Sequence, residues 1–153
     1  MDSVDGGGGE LAVVPADLFD DVSFLLARAN ALSLAAGNAA LGAGGLRVRS
    51  YSVLALAAGG RRPSQRELAE LLRLDPSQVV ALVDDLQSRG LVIRRPDPSD
   101  RRANVVIATE DGRIAYAAAA ASVSEAQNNL LGGLSAGERT QLAALLRRLA
   151  FPG

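Results

Sequence analysis

The chain has 153 residues, 48% hydrophobic and 22% charged, which suits one domain with a real core and excludes a disordered polymer. Cys and His are both absent, so disulfides, thiol redox sensing, Cys nucleophiles, Cys/His metal sites and His acid–base chemistry are excluded. Net charge is −1, so no global field draws a polyanion, yet all 16 basic residues are Arg and ten of them lie between Arg61 and Arg113.

Residues 1–14 read as a flexible leader. Met1 to Glu10 is acidic and Gly-rich, with no basic segment and no long apolar run, so it is not a signal peptide. The longest apolar stretches, such as Ala117 to Ala121, are too short and weakly hydrophobic to span a bilayer. The expectation is a cytoplasmic protein. From Asp17 a long helix is predicted, with Leu18, Val22, Leu25, Ala29 and Leu32 on one stripe. Phe19, Phe24 and Leu26 widen its apolar surface beyond one face, which calls for several packing partners. The Gly42–Gly45 run ends it.

A second helix is predicted from about Ser50 to Ala58, stopped by Gly59-Gly60. Neither Gly-rich stretch precedes a Lys-Ser/Thr pair or follows a strand, so both are helix breaks rather than phosphate loops. Ser64 and Glu67 form a capping box that opens a short third helix carrying Leu68, Ala69, Leu71 and Leu72. Asp75 as N-cap and Pro76 at the first helical position open a fourth, whose inner stripe is Val79, Leu82, Val83 and Leu86 and which Gly90 closes. Two short helices joined by a tight turn make a helix-turn-helix.

The period then becomes extended. Leu91 to Arg95 and Ala103 to Ile107 read as strands around a charged tip, a hairpin placed where a wing would be. Thr109 caps an Ala-rich helix that runs to about Leu131, with Glu110 and Asp111 in its first turn. Ser135 and Glu138 form another capping box, and the final helix carries Leu142, Leu145, Leu146 and Leu149. The fold class expected is mainly α with a small β-hairpin wing.

These features resemble the MarR (multiple antibiotic resistance regulator) family of bacterial transcription regulators. The resemblance rests on Gln65 to Leu72, Leu74 to Ser77, Leu82 to Leu86 and Arg89 to Val92, and above all on the wing Arg94 to Ala103. That wing carries the family's Asp-x-Arg signature as Asp100 and Arg102, and Thr109 to Arg113 matches a Thr-x-x-Gly-Arg helix start. Specific matches cover Arg47 to Arg113, and the flanking helices agree in length and order. The resemblance implies a winged helix-turn-helix over residues 47–113, flanked by dimerisation helices over 15–46 and 114–153.

On duplex DNA the second helix of such a motif enters the major groove and its N-terminal residues reach base edges. Pro76, Ser77, Gln78 and Ala81 stand there, with Gln78 suited to adenine through two hydrogen bonds. Arg102 is the expected minor-groove probe, its guanidinium oriented by Asp100. Ser64 at the start of the third helix is a further contact candidate. Arg61, Arg66, Arg73, Arg94, Arg95 and Arg101 are candidates for phosphate, which adds affinity without sequence information. The family's recognition helix usually carries basic residues where this one has Ala81 and Asp85. Asp84 and Asp85 therefore oppose a single distal Arg89, which throws weight onto the wing.

One short helix reads too few bases, so a homodimer on a near-palindrome is expected, in the role of a repressor released by a ligand. The resemblance implies a small aromatic or phenolic effector, with Phe24, Arg28, Arg49 and Tyr51 as candidate lining. No metal or cofactor is expected, and no residue constellation suggests an enzyme. The alternative is a winged-helix protein-interaction module with weak or lost operator binding, motivated by Ala81 and Asp85.

Overall fold

The computed structural model describes residues 13–153, so nearly all of the leader expected over residues 1–14 lies outside the described residues. The elements are helices α1 (Val22–Leu41), α2 (Val48–Ala58), α3 (Gln65–Leu72) and α4 (Pro76–Ser88), strands β1 (Val92–Pro96) and β2 (Asn104–Ala108), and helices α5 (Glu110–Leu130) and α6 (Ala136–Ala150). Short 3-10 turns cover Ala16–Phe19 and Gly42–Gly44. The chain divides into two compact units, Met1–Ala35 and Ala36–Gly153.

In the first unit the helix predicted from Asp17 is interrupted. Asp21 takes the N-cap role instead, its Oδ1 accepting the Phe24 N–H at 2.7 Å, so α1 starts at Val22. Leu25, Leu26 and Leu32 are exposed along it. By length and composition alone, Val22–Gly44 is apolar enough to cross a membrane, with mean hydropathy 1.2 over its best window. This corrects the expectation that no stretch was sufficient. Asn30, Ser33 and Asn38 interrupt every continuous apolar run while the many Ala and Leu keep the average high. Arg28, Asn30 and Asn38 also oppose insertion.

The second unit holds the core. Val53 and Leu54 of α2, Leu68 of α3, Val79, Val83 and Leu86 of α4, Val92 of β1 and Val106 of β2 are fully buried. Each such side chain contributes about 1.5–3 kcal/mol by leaving water. The α4 residues among them fall on the stripe expected from spacing. The end of α1 approaches α2 closely at Gly37, where a Cβ would lie 2.6 Å from Val48 Cγ2. Asn38 Oδ1 accepts the Val48 N–H there at 2.9 Å, which fixes the start of α2 two residues before its predicted position.

The strands are antiparallel, paired from Val92 opposite Ala108 to Pro96 opposite Asn104, one residue later than predicted. Ser64 makes an isolated bridge to Val105, and the Val106 N–H donates to Pro63 O at 2.8 Å. The base of the wing is therefore tied to the segment that leads into α3. Gly112 in α5 sits against the backbone of Leu91, whose carbonyl oxygen occupies the space of a Cβ. The Gly of the Thr-x-x-Gly-Arg segment is required by this close approach. No residue of α6 is buried, and Leu145, Leu146 and Leu149 face outward on it.

Candidate nucleic-acid interface

Local chemistry sets both helices of the helix-turn-helix. Ser64 Oγ accepts the Glu67 N–H at 3.2 Å and Glu67 Oε2 accepts the Ser64 N–H at 2.7 Å, the reciprocal capping box expected. Hydrogen bonds from Ser64 hold the Glu67 carboxyl below its ordinary range. A second box opens α4. Asp75 Oδ1 accepts the Ser77 N–H at 2.8 Å, and Gln78 Oε1 accepts the Asp75 N–H at 3.1 Å. This box escaped the sequence reading because Asp and Gln stand where Ser and Glu were sought. Hydrogen bonds from Ser77 lower the Asp75 carboxyl pKa.

The turn between the helices passes through Arg73 at φ 53°, in the left-handed region usually filled by Gly. Arg62, on the approach to α3, is left-handed as well at φ 50°. Helix α4 closes through Gly90 at φ 72°, with the Leu91 N–H donating to Leu86 O at 2.9 Å and the Gly90 N–H to Gln87 O at 3.0 Å.

The side chains of α4 expected to read bases are exposed but partly committed. Ser77 Oγ donates to Asp75 Oδ1, and Gln78 spends its oxygen on the cap. The cap engages one lone pair of that oxygen, so the bidentate contact with adenine assigned to Gln78 requires this exposed bond to be shared or exchanged on DNA. Pro76 and Ala81 are exposed, as is Val80 at 39% of its surface, a residue the sequence reading passed over. Its position on the α3 side of the recognition helix was concealed by its apolar character.

The acidic residues of α4 each have an Arg neighbour, close for Asp84 and looser for Asp85. Arg94 Nη2 reaches Asp84 Oδ1 at 2.6 Å, Nη1 reaches Gln87 Oε1 at 2.9 Å, and Nε reaches Gln65 Oε1 at 2.7 Å. Arg94 was expected to face phosphate; it ties β1 to α3 and α4 instead, with 23% of its side chain exposed. Asp85 lies 3.7 Å from Arg89, whose Nη1 and Nη2 also donate to Gly45 O at 2.9 Å and Gly44 O at 3.0 Å. The repulsion toward phosphate that Asp85 suggested is offset by its own neighbour one turn along.

At the wing tip two short side-chain turns follow each other. Asp97 Oδ1 accepts from the Ser99 N–H at 2.8 Å and from its hydroxyl at 2.7 Å, which lowers the Asp97 carboxyl pKa. Asp100 Oδ1 accepts the backbone N–H of Arg102 at 3.0 Å. The expected ion pair between Asp100 and the Arg102 guanidinium is replaced by this backbone contact, because residues two apart at a turn meet through the main chain. Arg95, Arg101 and Arg102 are exposed. Arg66 is exposed but paired with Glu70 at 2.9 Å, a contact easily exchanged in water. Arg61 and Arg73 are exposed on either side of α3.

The candidate effector residues fall in different units. Phe24 and Arg28 belong to the first, and Arg49 and Tyr51 to the second. Tyr51 of α2 stacks on Tyr116 of α5, ring centroids 5.8 Å apart at 26°. Burial, and after it the neighbouring Tyr116, push the Tyr51 phenol above its ordinary pKa. Tyr116 carried no sequence signal, since its partner lies in a distant segment. Among the described residues no group of three or more carboxylates could hold a metal ion.

Comparison with known proteins places this geometry in context. The model of the MarR family matches residues 45–103. The crystal structure of a MarR-family transcriptional regulator from Rhodococcus sp. RHA1 is 44% identical, with a TM-score of 0.85 over 91% of this chain and 99% of that one. The structure of CouR from Rhodococcus jostii RHA1, bound to p-coumaroyl-CoA, is 42% identical, with a TM-score of 0.81 over 90% of this chain and 97% of that one. Among curated proteins, the HTH-type transcriptional repressor NicR of Pseudomonas putida is 35% identical over 86 residues, 56% of this chain. That match spans 54% of NicR, so the chain aligns with little more than half the length of this relative.

Proposed function

Because this chain belongs to the MarR family of transcription regulators, we propose that it is a sequence-specific DNA-binding repressor acting as a homodimer on a near-palindromic operator. The observation that carries this reading is the capped helix-turn-helix followed by a wing with exposed Arg95, Arg101 and Arg102, the two acids of α4 each being paired with an Arg. Pro76, Ser77, Gln78 and Ala81 face the major groove, with Ser64 at the start of α3. Arg61, Arg66, Arg73, Arg95 and Arg101 meet phosphate, and Arg102 enters the minor groove. Arg94 and Asp100 serve as the frame that holds these groups.

The dimer is supported by apolar residues that nothing in their own unit covers, notably Leu145, Leu146 and Leu149 on α6. A small aromatic effector releases the operator, by analogy with the p-coumaroyl-CoA bound to CouR. Arg49 and Tyr51 of the second unit are its proposed contacts, and Tyr116 joins them through its stack on Tyr51; Phe24 and Arg28 are the candidates within the first unit. The protein acts in the cytoplasm and performs no chemistry of its own. The alternative of a protein-interaction module drew on Ala81 and Asp85; pairing of Asp85 with Arg89 removes half of that motive.

Selection of bound duplexes from a random pool tests the proposal. A pseudo-palindromic sequence should be enriched, with half-sites one helical turn apart and an affinity that falls steeply with salt. Enrichment of no sequence, with the protein folded and dimeric, would overturn it.

A further inference from the structure

Resting on the reading of α4 as the groove-reading helix, we propose that its half-site is chosen by thymine, through the C5-methyl group and O4. Thymine alone shows the major groove a methyl beside an acceptor. The exposed N-terminal part of α4 offers the matching surface. Pro76 and Ala81 stand at outward positions, Val80 is 39% exposed beside them, and Gln78 has its amide donors to offer while its oxygen caps Asp75.

The other bases find a poorer match here, because none adds a methyl for the apolar surface. Adenine calls for a donor and an acceptor from one side chain, and in Gln78 the acceptor is shared with the cap of Asp75. Guanine is usually read by Arg. Of those adjoining this helix, Arg89 turns toward the Gly44 and Gly45 carbonyls at the opposite end, Arg94 is held by Asp84 and Gln87, and Arg73 in the preceding turn is assigned to phosphate. Cytosine is read by a carboxylate accepting from N4, but Asp84 is held by Arg94 and Asp85 lies beside Arg89. Ser77 donates its hydroxyl hydrogen bond to Asp75, which leaves its oxygen as an acceptor. The contact that uses both the apolar surface and the Gln78 donors is a methyl with O4 beside it.

The experiment uses the duplex enriched from the random pool, with the thymines facing α4 replaced by deoxyuridine. This removes the methyl and leaves O4 and base pairing intact. Each contacted methyl should weaken binding roughly fourfold when lost, the equivalent of one buried methylene. The same replacement beneath the wing should leave affinity unchanged. Val80→Thr and Ala81→Ser, which exchange apolar surface for hydroxyl at similar size, should narrow the thymine–uracil difference while the melting temperature stays near that of the parent. An enriched operator bound equally well with uracil, or one lacking thymine opposite α4, overturns this inference and leaves the DNA-binding reading standing. Failure to enrich any sequence overturns both.

Discussion

The Arg94 guanidinium and the Asp84 carboxylate meet at 2.6 Å, and the same guanidinium reaches Gln65 and Gln87. One side chain from the wing therefore holds both helices of the helix-turn-helix. Arg94→Ala should destabilise the fold by about 1–3 kcal/mol, the range for hydrogen bonds to a charged group, reduced by the partial exposure of the pair. Lys at this position cannot reproduce three directed contacts and should rescue little. Urea unfolding of Arg94→Ala, Asp84→Asn and the double variant measures the coupling. Strict additivity would mean that the pair does not act as a unit.

How much of this was legible in sequence depended on distance along the chain. Ser64 with Glu67 and Ser135 with Glu138 are three residues apart, and both boxes form as read. Arg94 and Arg95 look equivalent in sequence, yet one turns inward and the other outward because a strand alternates its faces. The partner of Arg89 lies 44 residues away at Gly45, beyond any local pattern. Likewise the Gly of Thr109 to Arg113 was recognisable as a motif, while its reason, the Leu91 carbonyl, appears only when α5 is laid against the residue that leads into β1. The start of α4 at Asp75-Pro76 was legible, but the hydrogen bonds that engage Ser77 and Gln78 depend on how its first turn is capped.

Gly112→Ala tests that close approach. The added Cβ would overlap the Leu91 carbonyl, and backbone on both sides leaves no flexible side chain to yield. A loss of about 3 kcal/mol or more is expected, at the upper end for overpacking. Gly90→Ala meets no neighbour and suffers only from its φ of 72°, so it should cost about 1–2 kcal/mol. Thermal unfolding of the two variants should rank them in that order.

Arg73 separates affinity from stability. Its left-handed backbone at φ 53° is strained for any residue but Gly. Arg73→Gly should leave stability unchanged or raise it by up to about 1 kcal/mol, the relief of strain being partly offset by a looser unfolded chain. The same variant should weaken DNA binding uniformly across sequences and reduce the salt slope by about one. A variant that lost stability and kept the full slope would assign Arg73 a purely structural role.

Acid should unfold the protein through its capping carboxylates. Glu67, Asp75, Asp97 and Glu138 all titrate below their ordinary values of 3.8 for Asp and 4.5 for Glu, because hydrogen bonds from neighbouring Ser residues favour the ionised forms. A lowered folded pKa gives stability that is present above the unfolded value and lost as pH falls through the folded one. The melting temperature should therefore begin to drop as pH passes below about 4.5. Glu67→Gln and Asp75→Asn should each flatten that limb. With no His or Cys in the chain, stability and DNA affinity should be nearly level from pH 6 to 8.

Asp100 separates two ways of building the wing tip. If its charge oriented the Arg102 guanidinium, Asp100→Asn would weaken DNA binding almost as much as Arg102→Ala. Its Oδ1 instead accepts the Arg102 backbone N–H at 3.0 Å, and an Asn oxygen accepts that bond equally well. Asp100→Asn should therefore bind like the parent, or slightly more tightly through the loss of one negative charge near phosphate. Asp100→Ala should loosen the tip and weaken binding several-fold, and Arg102→Ala should lower affinity most on A·T-rich flanks, where a narrow minor groove attracts an inserted Arg. Fluorescence anisotropy with the four proteins on one operator, at two salt concentrations, gives the ordering. Weak binding by Asp100→Asn would restore the side-chain ion pair as the working arrangement on DNA.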